Sequence, residues 1–226
     1  MDEKDFSRFL VGMREFNIIE PIGSLYLKNK EESSAKTSGP KVSGPTALKA
    51  VGQLALKEES SAKFSGPKIS GPTALKAVGP LALVEIISYC LNPNHYHLIL
   101  KQVADKGISE FIKRIAGGYT WYFNNRHNRS GVLFQGKFKA VHVKSYSYLL
   151  KLLVYVNCNY EVHGLGKSKN WIWSSFLDSI GKRNGTLCNL DIIKAEFKTR
   201  ENFKKFCEEI IPEIKANKNL QKYSLE

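Results

Sequence analysis

The sequence predicts an α+β fold with a mostly antiparallel sheet. Three observations carry that reading: the order of apolar periodicities, a turn signature "NPN" between two β-branched runs, and a tandem repeat that interrupts this order without belonging to it. Residues 2–17, "DEKDFSRFLVGMREFN", place Phe6, Phe9, Leu10 and Met13 at helical spacing with acids in the first turn. "LVEIISYCL" (83–91) and "HYHLILKQV" (95–103) flank the turn and read as a hairpin. From Gly107, "ISEFIKRIAGGYTWYFNNRHNR" sets Ile108, Phe111, Ile112, Ile115, Tyr119 and Tyr122 on one helical face. "SGVLFQGKFKAVHV" (130–143) gives a turn and a strand, "SYSYLLKLLVYVNCNYEV" (145–162) another helix, and the tail from Leu190 to about Tyr223 an amphipathic helix.

The repeat stands apart. Residues 30–56, "KEESSAKTSGPKVSGPTALKAVGQLAL", recur at 57–83 with changes only at Thr37/Phe64, Val42/Ile69 and Gln53/Pro80. Two copies are too few to bury a solenoid core. The segment holds five of the eight prolines and six glycines, a composition for turns and extended backbone. It reads as a disordered insertion, apart from a short helix in "TALKAVGPLAL". The near-identity of its copies points to a recent tandem duplication. Four parts result: 1–29, an N-terminal helix and the start of the domain; 30–83, the insertion; 84–181, the core; and 182–226, a helical C-terminal extension.

Composition narrows the class of function. The 226 residues carry a net charge of +13, and the insertion accounts for only four units of it, so the basic character belongs to the folded part. Such an excess favours a polyanionic partner, nucleic acid first. No apolar run is long enough to span a bilayer and the acidic start is unlike a signal peptide, which together predict a cytoplasmic protein. The four cysteines have no paired spacing and read as reduced, buried thiols.

One stretch carries candidate chemistry. In "CLNPNHYHLIL", alternation along a strand puts His95 and His97 on one face and Tyr96 on the other. Two adjacent imidazoles are half of a divalent-metal site, or simply two surface histidines. His127, His142 and His163 have no partner at metal spacing and read as surface or loop residues. Trp171 and Trp173 read as packing residues.

"YCLNPNHYHLIL", "ISEFIKRIAGGYTWYFNNRHNRSGVLFQGKFKAV", "YLLKLLVYVNCNYEVHGL" and "WIWSSF" resemble, in order and spacing, the single-tyrosine HUH transposases, and within them the REP-associated tyrosine transposases. The resemblance covers about residues 1–27 and 83–210. It implies a ferredoxin-like antiparallel sheet with helices on one face. It also implies a metal-dependent endonuclease and strand transferase that cuts single-stranded or hairpin DNA through a 5′-phosphotyrosine and later rejoins it. His95 and His97 match the family's metal pair, Tyr155 its nucleophile, and Asn159 a further ligand four residues on. The implied cofactor is Mg²⁺ or Mn²⁺, and the implied assembly is a homodimer acting on the bacterial nucleoid.

The residue types suit that chemistry. A phenol, with a pKa of about 10, is a weak nucleophile at neutral pH, and a divalent ion that polarises the scissile phosphate compensates. Tyr155 and Asn159, at i and i+4, fall on one helical face. Covalent capture keeps the phosphodiester energy for rejoining. Lys113, Arg114, Arg126, Arg129, Lys137 and Lys139, interleaved with Tyr122, Phe123, Phe134 and Phe138, suit a DNA groove.

The sequence departs from the family twice. Asn159 is followed by Tyr160 where many relatives have proline, and no strand precedes the first helix, where relatives have a central one. The second departure leaves a rival reading, a truncated or degenerate relative that binds DNA without cutting it. A small-molecule metal hydrolase built on the histidine pair is a third.

Overall fold

The computed structural model describes residues 1–20 and 82–216 in full, and 48–49 and 53–56 by their backbone. Helix α1 (Glu3–Glu15) opens with a capping box: the Asp2 side chain accepts from the Asp5 amide and the Asp5 side chain accepts from the Asp2 amide. Strands β1 (Leu48–Lys49) and β2 (Gln53–Leu56) come next, then the hairpin of β3 (Val84–Leu91) and β4 (Tyr96–Gln102). Helix α2 (Gly107–Arg126), β5 (Phe134–Gln135), β6 (Ala140–His142) and α3 (Tyr146–Asn157) follow. Short α4 (Asn159–Val162) and α5 (Phe176–Ser179) lead to α6 (Asp191–Glu196) and α7 (Arg200–Ala216). The fold is α+β with an antiparallel hairpin at its centre and a helical C-terminal region, as the periodicities predict.

Side-chain alternation along the hairpin gives the sheet two apolar faces. Val84, Ile86, Tyr89, Tyr96, Leu98 and Leu100 pack with α1 and α2, through Phe6, Phe9, Met13, Phe111, Ile115 and Phe123. Ile87 and Ile99 pack with α3, α6 and α7 on the other side. The expectation of helices on one face therefore holds for α1 and α2 alone. Helix α3 is apolar on more than one side, with Leu149 and Leu152 to Val156 all buried, so it lies between the sheet and the tail helices, which cover it.

Part of the insertion enters the sheet. The strand order is β3-β4-β2-β6, with β2 parallel to both β4 and β6, so the sheet is mixed. Residues 48–49 and 53–56 of the segment read as mostly disordered are thus strands, while the short helix expected in "TALKAVGPLAL" lies, but for residues 82 and 83, outside the described residues. The flank of β4 would otherwise present unpaired amides and carbonyls, and β2 pairs with them. The rest of the segment read as disordered lies outside the described residues.

The outer edge of β3 is covered as well. The Leu91 amide donates to Trp173 O (2.9 Å), the Ser175 amide to Tyr89 O (2.9 Å) and the Asn189 amide to Ile86 O (2.8 Å). Ser175 and Ser179 donate to Asn157 Oδ1 at 2.8 and 3.3 Å, which ties this edge to the end of α3. At the start of α2 a glycine is required: a Cβ on Gly107 would lie 2.1 Å from Leu83 O.

Candidate metal centre and nucleophile

The β3–β4 turn closes through the Asn92 amide, which donates to His95 O at 2.8 Å. The period of two then works as the sequence suggests. Tyr96 and Leu98 face α1 and α2, whereas His97, 1% exposed, faces α3. His95 shares that face, with its ring centroid 5.1 Å from that of His97.

Opposite them stands the end of α3, a helix started by the Ser145 side chain accepting from the Tyr148 amide. Tyr155, 4% exposed, has its ring 5.3 Å from the His97 ring of the same chain. The helix breaks at Cys158 (φ −104°, ψ 16°) and α4 restarts at Asn159. Even so, Asn159 is fully buried with its Oδ1 3.3 Å from His95 Nε2. All four residues matched to the family's chemistry thus converge.

A fifth joins them. His163 caps α4, its amide donating to Asn159 O (3.0 Å), and its ring lies 5.3 Å from His95, 6.5 Å from His97 and 6.4 Å from Tyr155. The ligand atoms of His95, His97 and His163 all lie within 4.8 Å of one another. This corrects the reading of His163 as a loop residue without a partner. Its signal was the spacing Tyr155, Asn159, His163, i, i+4 and i+8, a stripe that survives the helix break. His127 and His142 do stay away: His127 Nε2 lies 3.1 Å from Asp5, and His142 is exposed on β6.

The donor set fits a divalent cation. Three imidazole nitrogens and one amide oxygen converge on a half-buried spot, a set of lone pairs suited to a first-row divalent ion. Burial pushes the Tyr89 and Tyr119 phenols far above their ordinary range. Burial likewise keeps the Cys90 thiol neutral behind the site.

The basic residues divide. Lys113, Lys137 and Lys139 are exposed, Lys113 having only a 3.8 Å contact with Glu110. Arg114 is engaged inward, donating to Glu110 at 2.8 Å and to Ile18 O at 2.6 Å. Arg126 donates to Asp2 and Asp5, each at 2.5 Å; the Asp2 hydrogen bond raises its pKa and holds the Asp2 carboxyl well below the usual range. Arg129 donates to Val132 O (3.3 Å) and sits 5.8 Å over the Phe123 ring. The tryptophans pack: Trp173 stacks on Phe6 at 5.0 Å, and Trp171 stacks on Tyr160 at 3.9 Å while donating to Leu91 O. Tyr160 thus pins α4 to the end of β3.

No helix among the described residues is long and apolar enough to cross a membrane. Residues 75–159 fit the family model described as "Transposase IS200 like". No curated protein and no solved structure matches. The matched segment contains His95, His97, Tyr155 and Asn159 and ends before His163.

Proposed function

From the match of residues 75–159 to the model of IS200-like transposases, we propose that this chain is a transposase of the HUH type that nicks and rejoins single-stranded or hairpin DNA through a 5′-phosphotyrosine on Tyr155. The observation that carries the proposal is the Tyr155 ring 5.3 Å from His97 of its own chain, beside a cluster of three histidines. The phenolic oxygen bonds to phosphorus and the P–O3′ bond breaks. The phenol proton leaves to solvent, and the departing 3′ oxygen takes one up as a free hydroxyl. Rejoining is the reverse, with the phosphodiester's energy kept in the tyrosyl ester.

His95, His97, His163 and Asn159 would hold the cation, which lowers the charge on the scissile phosphate. Three imidazoles favour Mn²⁺ over Mg²⁺. Proximity within one chain supports a tyrosine that serves its own histidines, so the homodimer implied by the resemblance is an assembly for DNA grip. Lys113, Lys137 and Lys139 are the exposed cations for the phosphate track, with Arg129 at its edge. A cytoplasmic enzyme working on the nucleoid, of the REP-associated kind, completes the proposal.

The test is to mix the protein or its Tyr155→Phe variant with Mn²⁺ and labelled single-stranded DNA carrying the hairpins beside its gene. A covalent adduct that needs both Tyr155 and the metal on a denaturing gel supports the enzyme. DNA binding with no adduct from either protein leaves the degenerate binder as the better account.

A further inference from the structure

The β3–β4 turn carries a residue that the proposed chemistry does not use. Asn92 is 1% exposed, and its side-chain nitrogen lies 2.5 Å from Asn159 Oδ1 and 2.7 Å from His95 Nε2. The tautomer of His95 follows from its other ring nitrogen. Nδ1 lies 2.8 Å from Asn94 Oδ1, an acceptor, so Nδ1 carries the hydrogen and Nε2 the lone pair. Both hydrogens of the Asn92 amide are thus spent, one on the His95 lone pair and one on the Asn159 oxygen. Its own Oδ1 is 3.6 Å from Cys90 Sγ, which fixes the amide's orientation. A divalent cation would take those same two lone pairs.

We propose that Asn92 is a built-in competitor for the cation: its NH₂ group holds the lone pairs of His95 and Asn159, and a metal ion binds this site only by displacing the Asn92 side chain. The inference rests on the reading of this cluster as a metal centre. A small cleft lined by Phe9, Leu91, Tyr119 and Phe134 opens to solvent beside Asn92 and His95, so the displaced amide swings toward solvent. Metal loading is thereby coupled to the turn that joins the two hairpin strands. The site gives up two good hydrogen bonds each time it loads, so the cation is held more weakly than the donor set alone would allow.

The experiment is calorimetric titration of Mn²⁺ into EDTA-stripped full-length protein, comparing wild type with Asn92→Ala and Asn92→Asp. The expected result is binding about tenfold tighter in Asn92→Ala, the effect of removing two competing hydrogen bonds, with a lower melting temperature for the stripped variant. Asn92→Asp binds tighter still, since a carboxylate cannot donate and attracts the ion. Equal or weaker binding by a natively folded Asn92→Ala overturns the proposal.

Should that variant fail to fold, Zn²⁺ is titrated into ¹⁵N-labelled wild type. The Asn92 side-chain NH₂ signals move together with the histidine ring signals; if they stay fixed while the rings shift, the proposal is overturned. The double variant His95→Ala/His97→Ala serves as the control without a site. No binding by wild type or by either Asn92 variant defeats the metal-centre reading together with this one. Binding that needs the histidines but ignores Asn92 defeats this one alone.

Discussion

Replacing Arg126 by alanine tests whether this arginine is a structural clamp or a DNA contact. Its guanidinium joins the end of α2 to the capping box of α1 through Asp2 and Asp5, and the Asp5 side chain is fully buried. Removing one partner of a buried pair leaves an uncompensated carboxylate, at roughly 3–5 kcal/mol. His127 Nε2 remains 3.1 Å from Asp5 and keeps part of that compensation, so the lower end, about 3 kcal/mol, is expected. The Asp2 arm is more than half exposed and adds little.

For a chain of this size each kcal/mol moves the midpoint by about 2–4 °C, so thermal unfolding followed by circular dichroism should show a drop of about 6–12 °C at pH 7. The sign of the pH dependence follows from Asp2, whose folded pKa is depressed by Arg126. A depressed carboxylate stabilises above its unfolded pKa of about 3.9 and loses that contribution as pH falls. The Asp2 share of the gap between wild type and variant, the smaller one, is therefore lost below about pH 4. A drop under about 2 °C, together with a DNA-binding salt slope reduced by about one, would refute the clamp and restore Arg126 as a phosphate contact.

Arg183→Lys should cost about 2–4 kcal/mol in chemical denaturation, because one guanidinium donates to both Asp178 oxygens, to Ile172 O, to Ser174 O and to the Tyr89 hydroxyl, and a single ammonium cannot span them. Lys113→Ala, Lys137→Ala and Lys139→Ala should each lower the slope of log affinity against log salt by about one in fluorescence anisotropy with single-stranded DNA, with melting unchanged; unchanged slopes would remove them from the phosphate track. Tyr160→Ala should cost about 1–2 kcal/mol in the same unfolding assay by removing the stack on Trp171, and a cost near zero would mean the stack does not hold α4.

What the sequence revealed was local. The shared face of His95 and His97 needs only strand alternation, and Tyr155 with Asn159 needs only helical spacing plus the resemblance. His163 was passed over because its partners lie across a helix break and on another strand. Asn92 read as a turn former in "NPN", since nothing in a turn signature says which way a side chain points. The inward partners of Arg114 and Arg126, read as DNA contacts, were not legible, because a cation's sequence neighbours do not reveal its spatial ones. The acids at the start of α1 had been read for the helix dipole, whereas Asp2 and Asp5 answer Arg126 from more than a hundred residues away. The entry of β2 into the sheet was equally illegible, because strand pairing across a long connection leaves no local trace.

That strand also resolves an ambiguity written into the repeat. Two almost identical segments are candidates for one slot, and they differ at the residue that opens the strand. Gln53 opens β2 with Leu98 on one flank and Ala140 on the other, while the second copy has Pro80 at the equivalent position. A proline brings no amide hydrogen to a strand with neighbours on both sides. The second copy is also committed elsewhere, since Leu83 O accepts from the Val103 and Ala104 amides as the chain enters β3. The symmetry that duplication created is thus broken in the fold: residues 53–56 of the first copy supply a strand, whereas the last residues of the second, 82–83, lead into β3.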